Sequence, residues 1–461
     1  MALNELLLFG TDGIRGEVGK FPLTIQAVYC IGRTAAIWLK QQYSGQDLPF
    51  KIVIGKDTRA SGLDLEQTLI KGMNKEGVGA VQLGVCPTPS VAYLTKALGA
   101  HLGLAVSASH NPGSDNGIKF FDANGYKLFD SAERALEQIF FALDSDQQPE
   151  LVQEQGCQDP DTFQNFIPLY VDFAKKSLNG FNLSGLKIVI DCAFGSFSTI
   201  APRIFSELGA ELLVMNNQPD GENINADCGT LHPEKLSQKV LESGSDIGIA
   251  FDGDGDRIIV IDEQGTIIDG DRMLAILALY LIGQKKLSKE TVVATQMSNI
   301  GLELYFKNKG IRLLRTNVGD KYVLAEMFKS KANLGGEQSG HIIFLDRTTT
   351  GDGLIIALEL LKVLLEKKVG LSQLCQDLER FPQTLLNIKV KEKRPFSEIP
   401  NLTETIERCN IELGETGRLL IRYSGTENLA RVMVEGRGDD LINQIANTIA
   451  TVIEDAIGEN C

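Results

Sequence analysis

The sequence predicts an α/β protein: three related α/β domains followed by a smaller C-terminal α+β domain. Two observations carry this prediction. One plan recurs three times, beginning with KIVIGKDTRASGLDLEQTLIKGMNKEGVGAVQLG at Lys51, LKIVIDCAFGSFSTIAPRIFSELGAELLVM at Leu186 and ETVVATQMSNIGLELYFKNKGIRLLRT at Glu290. Each copy reads as a β-branched strand, a small-residue turn, an amphipathic helix, a glycine and a second strand. The spacing between copies, beyond ~100 residues, suits separate domains rather than a solenoid, and strands alternating with helices imply mainly parallel pairing. The second observation is a change of character near Gln383. From there LLNIKVK, GRLLIRY and ARVMVEG read as short strands of a mainly antiparallel sheet, followed by the helix DDLINQIANTIATVIEDAI. The resulting domains are residues 1–158, 159–264, 265–382 and 383–461, with the polar, turn-rich DSDQQPELVQEQGCQDPD (144–161) as the clearest linker.

Composition narrows the function. Lys plus Arg number 45 against 60 for Asp plus Glu, a net charge of −15. That balance argues against nucleic acid, which needs clustered cations, yet leaves room for a small anionic ligand in a local field. The eight cysteines (30, 86, 157, 192, 228, 375, 409 and 461) include no C-x-x-C pair, which favours free thiols over a zinc site or disulfide frame. The start MALNELLLFGTDG has no basic n-region. No stretch approaches the ~20 apolar residues of a membrane helix. A soluble, cytoplasmic protein without a membrane partner is expected. Oligomeric state is left open.

The sharpest chemical motif is FDGDGDRIIVID, where Asp252, Asp254 and Asp256 alternate with glycines. Three carboxylates on one side of a tight turn suit Mg²⁺ or Ca²⁺. An EF-hand fails, because its sixth position needs glycine and here is Arg257, and the segment that follows reads as a strand. In IRYSGTENLARVMVEG, Arg422, Ser424, Gly425 and Thr426, with Arg431 beyond, offer a guanidinium fork, hydroxyls and accessible N–H groups for a phosphate dianion. A plain structural turn is an equal reading of that stretch alone. The loop LGGEQSGHIIF places Glu337, Ser339 and His341 where they could read sugar hydroxyls, although a lone histidine beside a strand is more often structural.

VSASHNPGSDNGIKFF ends an apolar strand in two serines and brings Ser109, His110 and Lys119 together. No G-x-S-x-G elbow exists to support a hydrolase. A serine beside a divalent metal and a phosphate cradle points to phosphoryl transfer, in which the metal and nearby cations offset a phosphoserine's charge. Lys119 and His110 would then supply proton transfer or charge stabilisation. Spacing alone does not choose Ser109 over Ser107, since both would face one side of a strand.

Together these stretches resemble the α-D-phosphohexomutase superfamily: the serine loop SASHNP, metal loop DGDGD, sugar loop GEQSGH and phosphate loop RYSGTE occur in the family's order. FGTDGIRG (9–16), GKDTRASG (55–62), DRTTTGDG (346–353) and RVMVEG make the phosphoglucosamine mutases the nearest branch. The resemblance implies four domains around a central cleft, with Ser109 as the phosphoserine. It implies Mg²⁺ held by Asp252, Asp254, Asp256 and the Ser109 phosphate, and sugar contacts from Glu337 and Ser339 with His341 nearby. Arg422, Ser424, Gly425 and Thr426 would hold the non-reacting phosphate, while Arg15, Lys119 and Arg257 surround the transferring group. The implied reaction interconverts glucosamine 6-phosphate and glucosamine 1-phosphate through a bound 1,6-bisphosphate, feeding UDP-N-acetylglucosamine synthesis. The sequence departs from the pattern at Tyr423 and Asn428, where relatives often have Lys and Pro, and in CAFGS (192–196), where CANGA is commoner. Altered phosphate affinity is the expected consequence. A phosphomannomutase/phosphoglucomutase of broader scope, or a non-catalytic sugar-phosphate sensor, are the rival readings.

Overall fold

The computed structural model describes residues 8–45, 50–143, 162–424 and 428–459. The linker at 144–161, Cys157 and Cys461, and Gly425 and Thr426 of the phosphate loop lie outside the described residues. The protein has three α/β domains and a smaller C-terminal domain, built on four sheets. The first contains Ile14–Glu17 (β1), Lys51–Lys56 (β2), Gly79–Val85 (β3), Leu102–Val106 (β4) and Asp115–Asp122 (β5), in the order β1-β5-β4-β2-β3. The second contains Lys187–Asp191 (β6), Glu211–Met215 (β7), Ile247–Phe251 (β8), Ile258–Ile261 (β9) and Ile267–Ile268 (β10), in the order β10-β9-β8-β6-β7. The third contains Thr291–Thr295 (β11), Arg312–Thr316 (β12), Leu334–Gly336 (β13) and Ile342–Phe344 (β14), in the order β12-β11-β13-β14. Gln383–Lys389 (β15), Arg418–Tyr423 (β16) and Leu429–Glu435 (β17) make the last, in the order β15-β17-β16.

The central strands β4, β8 and β11 are buried along their whole length. Their apolar runs belong to strands covered on both faces. Pairing, however, is mixed rather than mainly parallel. β2 runs parallel to β3 and β4, but β5 is antiparallel to β4 and to β1. Likewise β9 turns back on β8, and β14 on β13. The cause lies in the connections. A parallel crossover needs a dozen or more residues, whereas residues 107–114, 252–257 and 337–341 are all that join these pairs. Those three links are the serine, metal and sugar loops, each at the carboxyl end of a strand that belongs to the parallel part of its sheet. β16 and β17, which flank the phosphate loop, also pair antiparallel, in a sheet with no parallel part.

Two compact units emerge from the packing: residues 1–297 with 314–375, and residues 298–313 with 376–461. In the second unit β15 to β17 pair antiparallel and cover their core with helix Asp439–Ile457. Glu435, fully buried, accepts from the Arg418 guanidinium at 2.7 and 2.9 Å and from the Ile300 N–H at 3.2 Å. Asn299 caps the same helix, Ile300–Asn308, by accepting from the Gly301 N–H at 3.0 Å. A helix from the third sequence repeat is thereby fastened to the C-terminal sheet. Cys30, Cys86, Cys192, Cys228, Cys375 and Cys409 are free and buried. Among the described residues no helix is long and apolar enough to cross a membrane.

Helix Gly353–Lys367 begins behind the metal loop, where the Gly353 N–H donates to the Gly255 carbonyl at 3.0 Å. Asp352 caps it, accepting from the Ile355 N–H at 3.1 Å and from the Tyr170 hydroxyl at 2.9 and 3.0 Å. Burial outweighs these hydrogen bonds and pushes the Asp352 carboxyl up to about 7. A carboxyl with a raised folded-state pKa stabilises the fold fully below its unfolded value of ~3.9, and that contribution is lost as pH rises through ~7. Asp352→Asn keeps the acceptor and cannot ionise. It is expected to melt about 2–4 °C above wild type at pH 8, with the gap shrinking toward pH 5. Thermal scans of both proteins across that range check it.

Candidate active site

Ser109 follows β4 by three residues and takes a left-handed conformation, φ 56°, fully buried. Such backbone is uncommon outside glycine and is held only where the surroundings insist on it. The insistence comes from Arg59. Its buried guanidinium donates to the carbonyls of Ser109, Asn111, Pro112 and Asp115, while its Nε bonds Asp57 at 3.0 Å. Asn225 adds bonds to the Ser109 and Asn111 carbonyls at 2.9 and 3.1 Å. This turn separates the two serines that spacing could not. Ser107 Oγ donates to Asp57 at 2.6 Å and accepts the Ser109 N–H at 2.9 Å, whereas Ser109 Oγ faces Asp252 Oδ2 at 2.6 Å and His110 Nδ1 at 3.3 Å. Burial, with Arg257 and Arg15 nearby, pushes His110 down to about 4.

The DGDGD loop gathers Asp252, Asp254 and Asp256, all buried, so that one carboxylate oxygen of each lies within 4.8 Å of the others. Asp252 Oδ1 accepts from the Gly255 and Arg257 N–H groups at 3.0 and 3.1 Å. Asp254 Oδ2 accepts from Thr88 Oγ1 at 2.5 Å and from Lys119 Nζ at 2.8 Å. Its Oδ1 makes no hydrogen bond, nor does Asp256 Oδ1, though both are shut away from solvent. Burial, with Asp254 and Asp256 alongside, pushes Asp252 up to about 8. Buried anionic oxygens without a hydrogen bond are costly. A divalent cation, which prefers oxygen ligands, answers that deficit. The residues fit such an ion.

Cations surround these carboxylates. Lys119 is 1% exposed and lies 2.8, 2.7 and 3.1 Å from Asp254, Asp256 and Asp12. Burial opposes its charge, but the three carboxylates prevail and hold its pKa well above the ordinary value. Arg15 pairs with Asp12 and reaches the Ala108 carbonyl at 3.3 Å. Arg257 presents a buried Nε with no hydrogen bond. In the sugar loop, Glu337 accepts from the Gly319 N–H at 3.1 Å, and burial raises its pKa against the pull of His341 and Arg257. His341 is buried with Nδ1 3.6 Å from Asp256 Oδ1, and Ser339 is exposed at the turn.

In the C-terminal unit, Arg422 and Arg431 are directly opposed across β16 and β17. Like charges in that relation repel; burial and Arg431 together lower the Arg422 pKa. A bound anion would ease that repulsion. Ser424 is buried, its N–H bonded to the Leu429 carbonyl at 2.8 Å. Tyr423, by strand alternation, turns to the opposite face. There it stacks on Phe396 at 4.2 Å and donates to the Arg394 carbonyl at 2.5 Å. Tyr423 is thus half-buried against the C-terminal core, on the face away from Arg422. The Asn428 carbonyl accepts from the Val390 N–H at 2.9 Å, so strand pairing restrains the chain where proline is missing. In CAFGS, Phe194 is left-handed, φ 50°, a conformation that asparagine accepts more readily.

Several side chains that touch the site carried no role in the sequence reading. Asp12 and Arg59 sat inside FGTDGIRG and GKDTRASG, which served there only as marks of resemblance. Thr88, Asn225, Lys127 and Asp320 have no local signature. Each acts across a sequence separation of more than a hundred residues, which no spacing rule reaches.

Four family models match the chain in order. They are phosphoglucomutase/phosphomannomutase alpha/beta/alpha domains I (residues 6–147), II (168–265) and III (269–381), and the C-terminal domain (385–452). The phosphoglucosamine mutase of Thermoanaerobacter sp. (strain X514) is 48% identical over 449 residues, 97% of this chain and 98% of that protein. Among solved structures, a phosphoglucomutase/phosphomannomutase family protein from Burkholderia thailandensis matches with a TM-score of 0.78 at 25% identity, covering 97% of both chains. The Aspergillus fumigatus N-acetylphosphoglucosamine mutase, solved in complex with GlcNAc-6P and magnesium, shares the fold at a TM-score of 0.66 and 18% identity, covering 98% of this chain and 96% of that one. Carrying all four domains in order and close to half the residues of a phosphoglucosamine mutase along its length, the chain belongs to the phosphoglucomutase/phosphomannomutase family, within its phosphoglucosamine mutase branch.

Proposed function

We propose that the protein is an isomerase that interconverts glucosamine 6-phosphate and glucosamine 1-phosphate by way of phosphorylated Ser109. The observation that carries this is a buried serine hydroxyl 2.6 Å from one of three crowded aspartates, two of which hold oxygens without a hydrogen bond. Mg²⁺ held by Asp252, Asp254, Asp256 and the Ser109 phosphate would supply Lewis-acid neutralisation of phosphoryl oxygens. In the forward half-reaction the bond from phosphorus to Ser109 Oγ breaks and one to the sugar O1 forms. The O1 proton passes through the site to the serine oxygen. His110, the nearest imidazole to that oxygen, suits the transfer. Lys119, Arg15 and Arg257 stabilise the charge on the phosphoryl oxygens in flight. The product, glucosamine 1,6-bisphosphate, also primes unphosphorylated enzyme.

It turns around, and its 6-phosphoryl group returns to Ser109. Glu337 and Ser339, with His341 nearby, contact the sugar hydroxyls. Arg422, Ser424, Gly425, Thr426 and Arg431 hold whichever phosphate is not reacting, converting its binding energy into placement of the other end. We assign the four loops to domains 1–158, 159–264, 265–382 and 383–461, and place the activity in the cytoplasmic route to UDP-N-acetylglucosamine. ³¹P NMR of the 6-to-1 phosphate shift tests the substrate, with glucosamine, glucose and mannose 6-phosphates supplied separately. Preference for glucosamine 6-phosphate is expected. Equal or better turnover of the other sugars moves the protein to the broader phosphomannomutase/phosphoglucomutase reading, and no turnover of any leaves a sensor.

A further inference from the structure

The charged side chains around Lys119 close into a ring. Lys119 lies 3.1 Å from Asp12 and 2.7 Å from Asp256. Asp256 faces His341 Nδ1 at 3.6 Å, and His341 Nε2, which accepts from the Gly351 N–H at 3.2 Å, lies 3.4 Å from Asp320. Lys127 completes the circuit by pairing with both Asp320 and Asp12. Acidic and basic groups alternate at every position. Lys119, Asp256 and His341 form the half that lines the candidate site. Asp12, Lys127 and Asp320 form the half behind it, and the Lys127 ammonium makes no ion pair with the metal loop.

The ring draws on three domains: Lys119 on β5, with Asp12 and Lys127 in loops beside it, from the first, Asp256 in the metal loop of the second, and Asp320 at a helix start and His341 in the sugar loop of the third. All six residues are largely or fully buried, Lys127 at 9% and Asp320 at 6% exposure. A buried charge that loses its partner costs several kcal/mol, so the groups that remain reorient to cover it. Without Lys127, Asp320 keeps His341 as its remaining partner in the ring. Asp12 would depend more heavily on Lys119 and Arg15. Both shifts draw a site group backwards, away from Asp256 and Asp254.

We propose that Lys127 is a positioning residue for phosphoryl transfer: by neutralising Asp12 and Asp320 from behind, it keeps the Lys119 ammonium and the His341 imidazole turned toward the metal loop. This rests on the phosphohexomutase reading above. Misplacement by about 1 Å at a reacting centre costs on the order of a hundredfold in rate, and that is the effect to look for.

The test uses the full-length phosphorylated enzyme with Mg²⁺ and glucosamine 6-phosphate. Lys127→Met is expected to lower kcat about a hundredfold with KM within about threefold of wild type. Lys127→Arg, which restores the charge, recovers at least about tenfold of the loss. Asp320→Asn removes the charge that Lys127 answers at constant size. In the Lys127→Met background it relieves the pull on His341 and recovers part of the lost kcat, at least about threefold. A folded Lys127→Met enzyme with wild-type kcat overturns the proposal, as does a loss carried by KM alone. If Lys127→Met does not fold, Lys127→Gln, which removes the charge but keeps a polar end, is judged by the same two criteria. Absence of turnover in the wild type, or full turnover in Ser109→Ala, instead overturns the functional reading beneath it.

Discussion

Ser109→Ala is expected to lower mutase turnover by at least ~10⁴-fold, the scale seen when a covalent nucleophile is removed. The wild-type enzyme is expected to carry a one-phosphoryl mass increment as purified, and this variant to lack it. The argument is geometric. Ser109 Oγ sits 2.6 Å from Asp252, and no other described hydroxyl bonds that carboxylate. Its loop is held by Arg59 and Asn225 through backbone carbonyls, so removing the hydroxyl leaves the loop's supports in place. The melting temperature should stay near that of wild type, which separates lost chemistry from lost fold. ³¹P NMR of the sugar phosphates, with intact-mass measurement of the protein, checks both halves. An alanine enzyme at full speed would end the phosphoserine mechanism.

Asp254→Asn is the second large effect. Asp254 gives Oδ2 to Thr88 and Lys119 and leaves Oδ1 buried without a hydrogen bond. Asparagine preserves shape and one acceptor but removes the charge that a hard cation requires. Affinity for Mg²⁺ is expected to fall at least about tenfold, and turnover at saturating substrate about 10²- to 10³-fold. Titration calorimetry with the metal alone reads the first, independently of activity. Unchanged metal affinity would remove Asp254 from the ligand set, whatever happened to the rate. Thr88 and Lys119 hold Asp254 by one oxygen and leave the other buried without a hydrogen bond. Aimed in this way, the carboxylate is suited to coordinate metal.

Much of this protein was legible in its residues, for reasons that can be named. The apolar runs at Ile52, Ile188 and Val292 and the helices that follow them read correctly because period and burial are local properties. The chemistry of DGDGD was legible because carboxylates alternating with glycine have few other uses at that density. Ser107 and Ser109, by contrast, were indistinguishable until the left-handed turn at Ser109 separated their partners. The surroundings of Tyr423 were hidden for the complementary reason. Its neighbours Arg422 and Ser424 point one way along β16, and strand alternation sends Tyr423 to Phe396.

By itself, the sequence determined the strands, the class of each domain and the residue types that crowd each loop, all of which depend on neighbours within a few positions. Tertiary structure decided how those loops meet. The short links 107–114, 252–257 and 337–341 force antiparallel returns, turning each loop into a hairpin tip at the carboxyl end of a strand in the parallel part of its sheet. Hydrogen bonds and ion pairs spanning more than a hundred residues then bring Ser109 to Asp252, Lys119 to Asp254 and Lys127 to Asp320. A buried charge needs a partner wherever the chain can supply one, and sequence distance places no limit on which residue that is.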